Sequence, residues 1–437
     1  MRLNNRFLGK LQFILQQRRK PSREELDYWL GTRARKGLGQ TCFIGVTGSA
    51  GKSTCAALLH HLLAEHYKTA ASLFENTPRV LARRLPELKR QEQFAVMEMS
   101  GHAMGVLAQS CDLVQPNVGI VISVSNDHYT NFRGIEQTTE EKSTLVRRVP
   151  VQGCVFLNAD DPAVLGMAAV AQARVITFGL NAESDYRALN ARLNEQGWLC
   201  FDCQYQSQSI AFKLPLSALH FIPSVLAAVA CAHQCGVPLE ALARQAGSFQ
   251  SLPDRCYVHQ LDDGRTVICD TIKSPYSTLP LAFNTLEAFP RSRPRRIILG
   301  NISDYPGSLS PKLSKLAGQA LAVADQLILF RPPINIDRIV KKHGEGKVLR
   351  FDRIADIDVF LHEQGSTDDV LLLKGSGINH LEALLLPWLG KAQCKLEPCG
   401  FKHTCFDCKN GFAGDTNALF SCYNRYSAGL VSSDNSD

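Results

Sequence analysis

The sequence predicts an α/β fold: a P-loop-containing, doubly wound central domain followed by a smaller Rossmann-like α/β domain. Three observations carry that expectation. Short apolar runs rich in β-branched residues alternate with helical stretches from residue 41 onward; a glycine-rich loop closes the first run; and a second alternating series begins after Pro253. Strands covered by helices on both faces read as unbroken apolar runs, because neither face meets water. The chain has 437 residues, enough for two or three domains of ordinary size. Hydrophobic residues make up 45% and charged residues 20%, which excludes a disordered or fibrous chain.

The first 40 residues form a basic segment. Arg2, Arg6, Lys10, Arg18, Arg19, Lys20, Arg33, Arg35 and Lys36 supply much of the net charge of +7. Leu3, Phe7, Leu11 and Ile14 fall at helical spacing, so residues 1–20 are expected as a basic amphipathic helix, packed on the following domain or resting on a membrane surface. The modest positive balance suits anionic small molecules and does not by itself indicate nucleic acid. No stretch approaches the ~20 apolar residues of a membrane span, and no secretory signal is evident, so the default compartment is the cytoplasm.

The central domain is placed at residues 41–252. Residues 42–46 are its first strand and residues 54–66 the helix that follows; residues 94–97, 118–123, 155–157 and 175–178 are further strands. An Ala-rich helix over residues 224–235 ends at Gly236-Val237-Pro238. The second domain is placed at residues 253–390, with strands at 266–269, 296–299, 326–330, 348–351 and 370–373. Ligands in such sheets sit at the carboxyl ends of the strands.

The most informative stretch is Gly45-Val46-Thr47-Gly48-Ser49-Ala50-Gly51-Lys52-Ser53-Thr54. A strand enters it and a helix leaves it, so backbone N–H groups can surround phosphate oxygens at a helix N-terminus. Lys52 would reach the terminal phosphates of ATP, and the Ser53 hydroxyl would ligate Mg²⁺. Val46 stands where a strict G-x-x-x-x-G-K-S loop has its first glycine.

This Thr-Gly-Ser-x-Gly-Lys-Ser-Thr core resembles the version found in the Mur ligase family, and the rest of the chain carries further motifs in that family's order. The central and second domains look most like the branch that adds D-alanyl-D-alanine and the cyanophycin synthetase branch. The resemblance implies ATP-dependent amide formation through an acyl-phosphate, with ATP and two Mg²⁺ ions. It assigns Thr47, Gly48, Ser49, Gly51, Lys52, Ser53 and Thr54 to the nucleotide, and Ser53, Glu98, His128 and Lys142 to metal. Glu98 ends the strand Val96-Met97-Glu98, and His128 closes Ser125-Asn126-Asp127-His128. Lys142 corresponds to a lysine that the family carbamylates; a plain helix-surface lysine is the alternative. Asn158-Ala159-Asp160-Asp161-Pro162 resembles a family turn that shapes its loop.

In the second domain, Arg255 resembles the family arginine that approaches the phosphates. Asp270-Thr271-Ile272-Lys273-Ser274-Pro275 resembles an Asp-x-x-His-Asn-Pro segment, with Lys273 and Ser274 in place of His and Asn. Asp270 either binds ribose or organises the loop, and Lys273 is a candidate for neutralising the developing acyl-phosphate. Leu299-Gly300-Asn301 and Leu373-Lys374-Gly375-Ser376 match two more strand-end loops. At His220-Phe221-Ile222-Pro223-Ser224 the family's two adenine-side amides are missing, so base recognition is expected to be altered or relaxed.

Only about 40 residues precede the loop, short of the UDP-sugar-binding domain that peptidoglycan ligases carry. The expected substrates are therefore a small-molecule acid and amine, or a partner protein supplies substrate binding. A P-loop kinase or nucleotide switch, and a degenerate ATP-binding homologue, are the competing readings. The chain has 15 cysteines, which in the cytoplasm are reduced thiols. Residues 391–437 form a Cys-rich tail with Cys394, Cys399, Cys405, Cys408 and Cys422, and its spacing leaves Zn²⁺ binding and plain thiols as alternatives. From Ser427 the tail is expected to be disordered.

Overall fold

A computed structural model describes residues 2–74, 76–125, 131–252, 254–391, 394, 399–400, 404–408 and 430–432. Its strands fall into two sheets. The first contains β1 (Cys42–Thr47), β2 (Thr69–Ser72), β3 (Phe94–Glu98), β4 (Val118–Val121), β5 (Cys154–Asn158), β6 (Arg174–Gly179), β7 (Tyr186–Leu193), β8 (Leu199–Tyr205) and β9 (Gln208–Leu214). The second contains β10 (Tyr257–Gln260), β11 (Thr266–Asp270), β12 (Arg295–Leu299), β13 (Gln326–Phe330), β14 (Val348–Phe351) and β15 (Val370–Lys374). A last short strand, β16 (Leu430–Ser432), joins the first sheet.

The first sheet has the order β16-β2-β3-β1-β4-β5-β6-β7-β8-β9. Its β2 to β7 pairings are parallel, as the apolar runs predicted. Two helices lead into it, α1 (Arg2–Gln17) and α2 (Arg23–Lys36). The helices that cover it are α3 (Lys52–Ala64), α4 (Pro78–Arg84), α5 (Val106–Val114), α6 (Ile135–Arg148), the short α7 (Pro162–Leu165) and α8 (Ile222–Gln234). One apolar core joins α3 and α8 to one face of the sheet, and a second core lies under α4, α5 and α6 on the other. The chain is thus doubly wound, and its order reverses beside β1, where ligand crevices of such sheets form.

The antiparallel extension β7–β8–β9 was not legible as apolar runs, because one face is wet. Its burial alternates along β8, with Phe201 and Cys203 inside and Cys200 half-buried. Cys200 and Cys203 sit three positions apart on a strand, hence on opposite faces. That C-x-x-C pair is therefore a sheet feature.

The second sheet has the order β10-β11-β15-β12-β13-β14, parallel except for the edge strand β10. The predicted helix at the N-terminus is present as α1. It packs on α2 through Phe13 against Trp29, rings 5.8 Å apart edge to face, while Phe7, Leu8, Leu11 and Leu15 stay exposed. The expectation of a disordered end from Ser427 is corrected at residues 430–432, which pair antiparallel with β2. The edge of β2 would otherwise leave a row of backbone donors and acceptors unpaired. Among the described residues, no helix is long and apolar enough to cross a membrane.

Candidate active site

The glycine-rich loop runs from β1 into α3. Gly51 takes φ +81°, and a Cβ there would lie 2.2 Å from Ser224 Oγ on α8. Glycine is what lets the loop turn left-handed and α8 approach it. Ser224 Oγ in turn donates to Gly51 O at 3.2 Å. The loop is further tied to the end of β4: Ser49 N donates to Ser123 O at 2.8 Å, Ala50 N to Ser123 Oγ at 3.0 Å, and Ser125 N to Ser49 Oγ at 2.9 Å. Lys52 Nζ donates to Gly48 O. These ties hold the N-terminus of α3 toward a cleft, where the first-turn N–H groups and partial positive charge of a helix favour an anion.

Glu98 ends β3 directly beside β1, in register with Val46. Its side chain is 2% exposed and accepts three hydrogen bonds. Ser53 Oγ and Phe74 N reach Oε2 at 3.0 and 2.9 Å, and Asn76 Nδ2 reaches Oε1 at 2.7 Å. These donors satisfy the hydrogen-bonding capacity of the buried carboxylate. Ser53 and Glu98 thus present adjacent hard oxygen atoms, the donor type that magnesium takes.

From the second sheet, the carboxyl ends of β11 and β15 meet this loop. Asp270 and Lys374 are register partners across the two strands, and Lys374 Nζ lies 2.9 Å from Asp270 Oδ2. Lys374 Nζ also donates to Lys273 O, so one buried ammonium holds both arms of the segment after β11. Arg255 lies on the approach to β10; its buried Nε has no hydrogen-bond partner among the described residues.

These groups line one cavity of about 370 Å³. Ser49, Gly51, Lys52, Ser53 and Thr54 form one wall, with Glu98; Arg255, Asp270, Lys273 and Lys374 form the opposite one. Lys52, Arg255, Lys273 and Lys374 outnumber the carboxylates Glu98 and Asp270, which is an electrostatic setting for a polyanion. His220, Phe221, Pro223 and Ser224 close a further side. Burial pushes the His220 imidazole below its ordinary range, against the pull of Asp270, so that wall adds no cation.

Other predicted residues fall elsewhere. Thr47 is fully buried and its hydroxyl donates to Met99 O at 3.0 Å; neither it nor Gly48 lines the cavity. Their part is to shape the loop. Lys142 is 1% exposed on α6 and so is not a surface lysine, yet it is not among the cavity residues. Its neighbour Glu141 accepts from Gly105 N and Leu107 N, both at 2.6 Å, locking α6 onto the start of α5. His128 lies outside the described residues. The Asn158–Asp161 turn shapes its surroundings, and Asn158 itself lines the cavity: Asn158 Nδ2 donates to Ile122 O at 2.9 Å, and Asp161 accepts from Val124 N at 2.7 Å. Sequence reasoning gave Lys374 no role, although it ends an apolar strand in the same way as Glu98. A charged residue closing a buried strand is the signal that would have found it.

A model of the Mur ligase middle domain matches residues 46–232. Residues 46–232 are similar to a Mur ligase middle domain. A UDP-N-acetylmuramoyl-tripeptide–D-alanyl-D-alanine ligase of Mycobacterium tuberculosis is 29% identical over 238 residues, covering 53% of this chain and 46% of that protein. The chain therefore spans about half the length of the first curated relatives it matches. A UDP-N-acetylmuramate–L-alanine ligase of Alkaliphilus metalliredigens is 24% identical over a longer stretch, covering 83% of this chain and 80% of the relative. Among solved structures, MurF from Acinetobacter baumannii aligns with a TM-score of 0.75 and 22% identity, covering 85% of this chain and 84% of its own. MurF from Thermotoga maritima, solved in complex with ADP, aligns at 0.73 with 20% identity, covering 84% and 86%. At that identity the Mur structures share the fold: a P-loop α/β unit followed by a Rossmann-like one.

Proposed function

We propose that this Mur ligase homologue is an ATP-dependent ligase that joins a carboxylate to the amine of an amino acid or peptide. The observation that carries the proposal is the single cavity in which Lys52, Ser53 and Glu98 face Arg255, Lys273 and Lys374. A phosphate loop alone serves any nucleotide protein. A second α/β unit that adds cations across from it is what acyl-phosphate chemistry requires, because two anions, the γ-phosphoryl group and the attacking carboxylate, must be brought together while charge grows on the departing ADP oxygen.

Residues 41–252 would act as the nucleotide domain and residues 253–390 as the domain that closes on it. The loop amides and Lys52 would bind the phosphates of ATP. Ser53 and Glu98 would hold magnesium, which supplies neutralising charge to those phosphates. His128 and Lys142 keep their metal assignment only through the family resemblance; Lys142 would need carbamylation, because an ammonium is no metal ligand. Arg255 and Lys273 would face the incoming carboxylate and the γ-phosphoryl group. The carboxylate oxygen attacks phosphorus as the bond to ADP breaks. The amine nitrogen then attacks the acyl carbon, loses a proton, and inorganic phosphate leaves with the carboxylate oxygen. Lys374 would hold Asp270 and the Lys273 backbone in place throughout, with Asp270 toward the ribose or the loop.

Isotope transfer tests the reading. With an acid carrying heavy oxygen in its carboxylate, the label is expected in the released phosphate when the amine is present. Label retained wholly in the acid, with phosphate transferred to a hydroxyl acceptor, would instead make the chain a kinase.

A further inference from the structure

Among the described residues, the Cys-rich tail meets the second sheet at residues 404–408. Thr404 Oγ1 accepts from Phe406 N at 3.0 Å, opening the single turn Cys405–Asp407. Phe406 is fully buried among Leu381, Leu384, Val267 and their neighbours in the core on one face of the second sheet. That anchor brings Cys405 against the loop that follows β15. Cys405 Sγ lies 3.8 Å from His380 Nδ1, Cys405 N donates to Glu382 Oε1 at 3.0 Å, and His380 Nδ1 is 3.7 Å from the same oxygen. The three side chains are all buried, and one ligand atom from each lies within 4.8 Å of the others.

Glu382 is the unusual member. It is 0% exposed, and its Oε2 has no hydrogen-bond partner among the described residues. A buried carboxylate with an orphaned oxygen is costly unless a cation answers it. The nearby groups are an imidazole and a thiol, the donors that a borderline-soft divalent ion selects. More thiols are at hand: Cys394 packs against the same core, and Cys394, Cys399 and Cys408 lie close enough to act electrostatically on Cys405. Cys408 is spaced from Cys405 as a C-x-x-C chelate.

We propose that the second domain holds a structural zinc ion ligated by His380, Glu382, Cys405 and Cys408. The ion would clamp the tail to the loop that follows Lys374, the residue by which β15 reaches the cavity. Its function would be to fix that loop, since four protein ligands leave no position for a substrate. This inference stands apart from the proposed ligase activity, because it reads metal content and stability.

The test is metal analysis of the full chain, purified without chelator from zinc-supplemented medium, with cobalt substitution alongside. The expected result is about one zinc per chain and an intense sulfur-to-cobalt charge-transfer band. Glu382→Gln and Cys405→Ser should each lower zinc content several-fold, and chelation should lower the melting temperature of the wild type but not of these variants. Cys200→Ser, on β8, should keep its zinc. Wild-type protein free of zinc and without a cobalt–thiolate band overturns the proposal. So does zinc that survives Glu382→Gln and a His380→Gln companion but is lost in Cys394→Ser and Cys399→Ser, because the ligands would then lie in the tail alone. Far-ultraviolet circular dichroism of each variant separates metal loss from failure to fold.

Discussion

Ser53 Oγ donates a 3.0 Å hydrogen bond to Glu98 Oε2, joining the first turn of α3 to the end of β3. Ser53 Oγ, Phe74 N and Asn76 Nδ2 all donate to Glu98. An amide at this position would turn one of its two acceptor ends into a donor facing donors. Glu98→Gln is predicted to lower magnesium-dependent ATP turnover by about 100-fold or more, because it removes the charge that an oxygen-ligated cation needs. Steady-state phosphate release across a magnesium titration checks this. Turnover within a factor of about two of wild type would remove Glu98 from the site.

Gly51 and Ser224 make a second prediction. Alanine at Gly51 meets both a left-handed backbone and Ser224 Oγ at 2.2 Å. Gly51→Ala is predicted to cost about 1–3 kcal/mol in stability and to weaken ATP binding at least about tenfold. Pairing it with Ser224→Gly relieves the contact and leaves the backbone strain. Partial recovery of stability, read by denaturant midpoint, is the expected result; none at all would mean that Ser224 does not limit the loop.

The wall made by His220, Phe221, Pro223 and Ser224 lacks side-chain amides that read a base. Discrimination against a purine with altered edge groups then rests on shape, and buried hydrogen-bonding partners are what give large ratios. The ratio of kcat/KM for ATP over GTP is predicted to be within about tenfold. A ratio in the thousands would mean that base recognition resides in groups outside this wall.

Asp254 supplies a pH signature. Burial, with help from Glu382 and Asp270 and against the pull of Arg255, pushes its carboxyl up to about 7, and neither oxygen has a hydrogen-bond partner among the described residues. The unfolded value is about 3.9, so between those two values the folded chain holds the extra proton. The contribution of this group is therefore most favourable in acid and is lost as pH rises through about 7. Asp254→Asn is predicted to be near neutral at about pH 4 and to stabilise the chain by about 1–3 kcal/mol at about pH 8. Denaturant unfolding of both proteins at the two pH values checks it; a constant difference contradicts it.

The parallel strands were legible because helices bury both of their faces, and the phosphate loop because glycine, lysine and hydroxyl residues must follow one another there. The strands β7 to β9 were not, since their wet face interrupts the apolar pattern. Glu98 and Asp270 could be read as acids closing apolar strands. Lys374 obeys the same rule, yet its pairing with Asp270 depends on β11 and β15 being neighbours, a relation between residues 104 positions apart that only the fold supplies. Lys142 was legible as a candidate, while its burial on α6 was not, because the periodicity of a short charged helix does not show which face is covered. The Cys405 anchor was hidden for a similar reason: His380 and Glu382 lie well before the cysteines in the chain.

The central claim is that this cavity activates a carboxylate with ATP. The direct measurement is phosphate release from MgATP with pooled amino acids, dipeptides and UDP-linked precursor acids, with Lys52→Ala as control. Release that requires both an acid and an amine, and disappears in the variant, is the result predicted here. Release that needs only a hydroxyl-bearing acceptor, or measurable ATP binding without turnover in every pool, would contradict it.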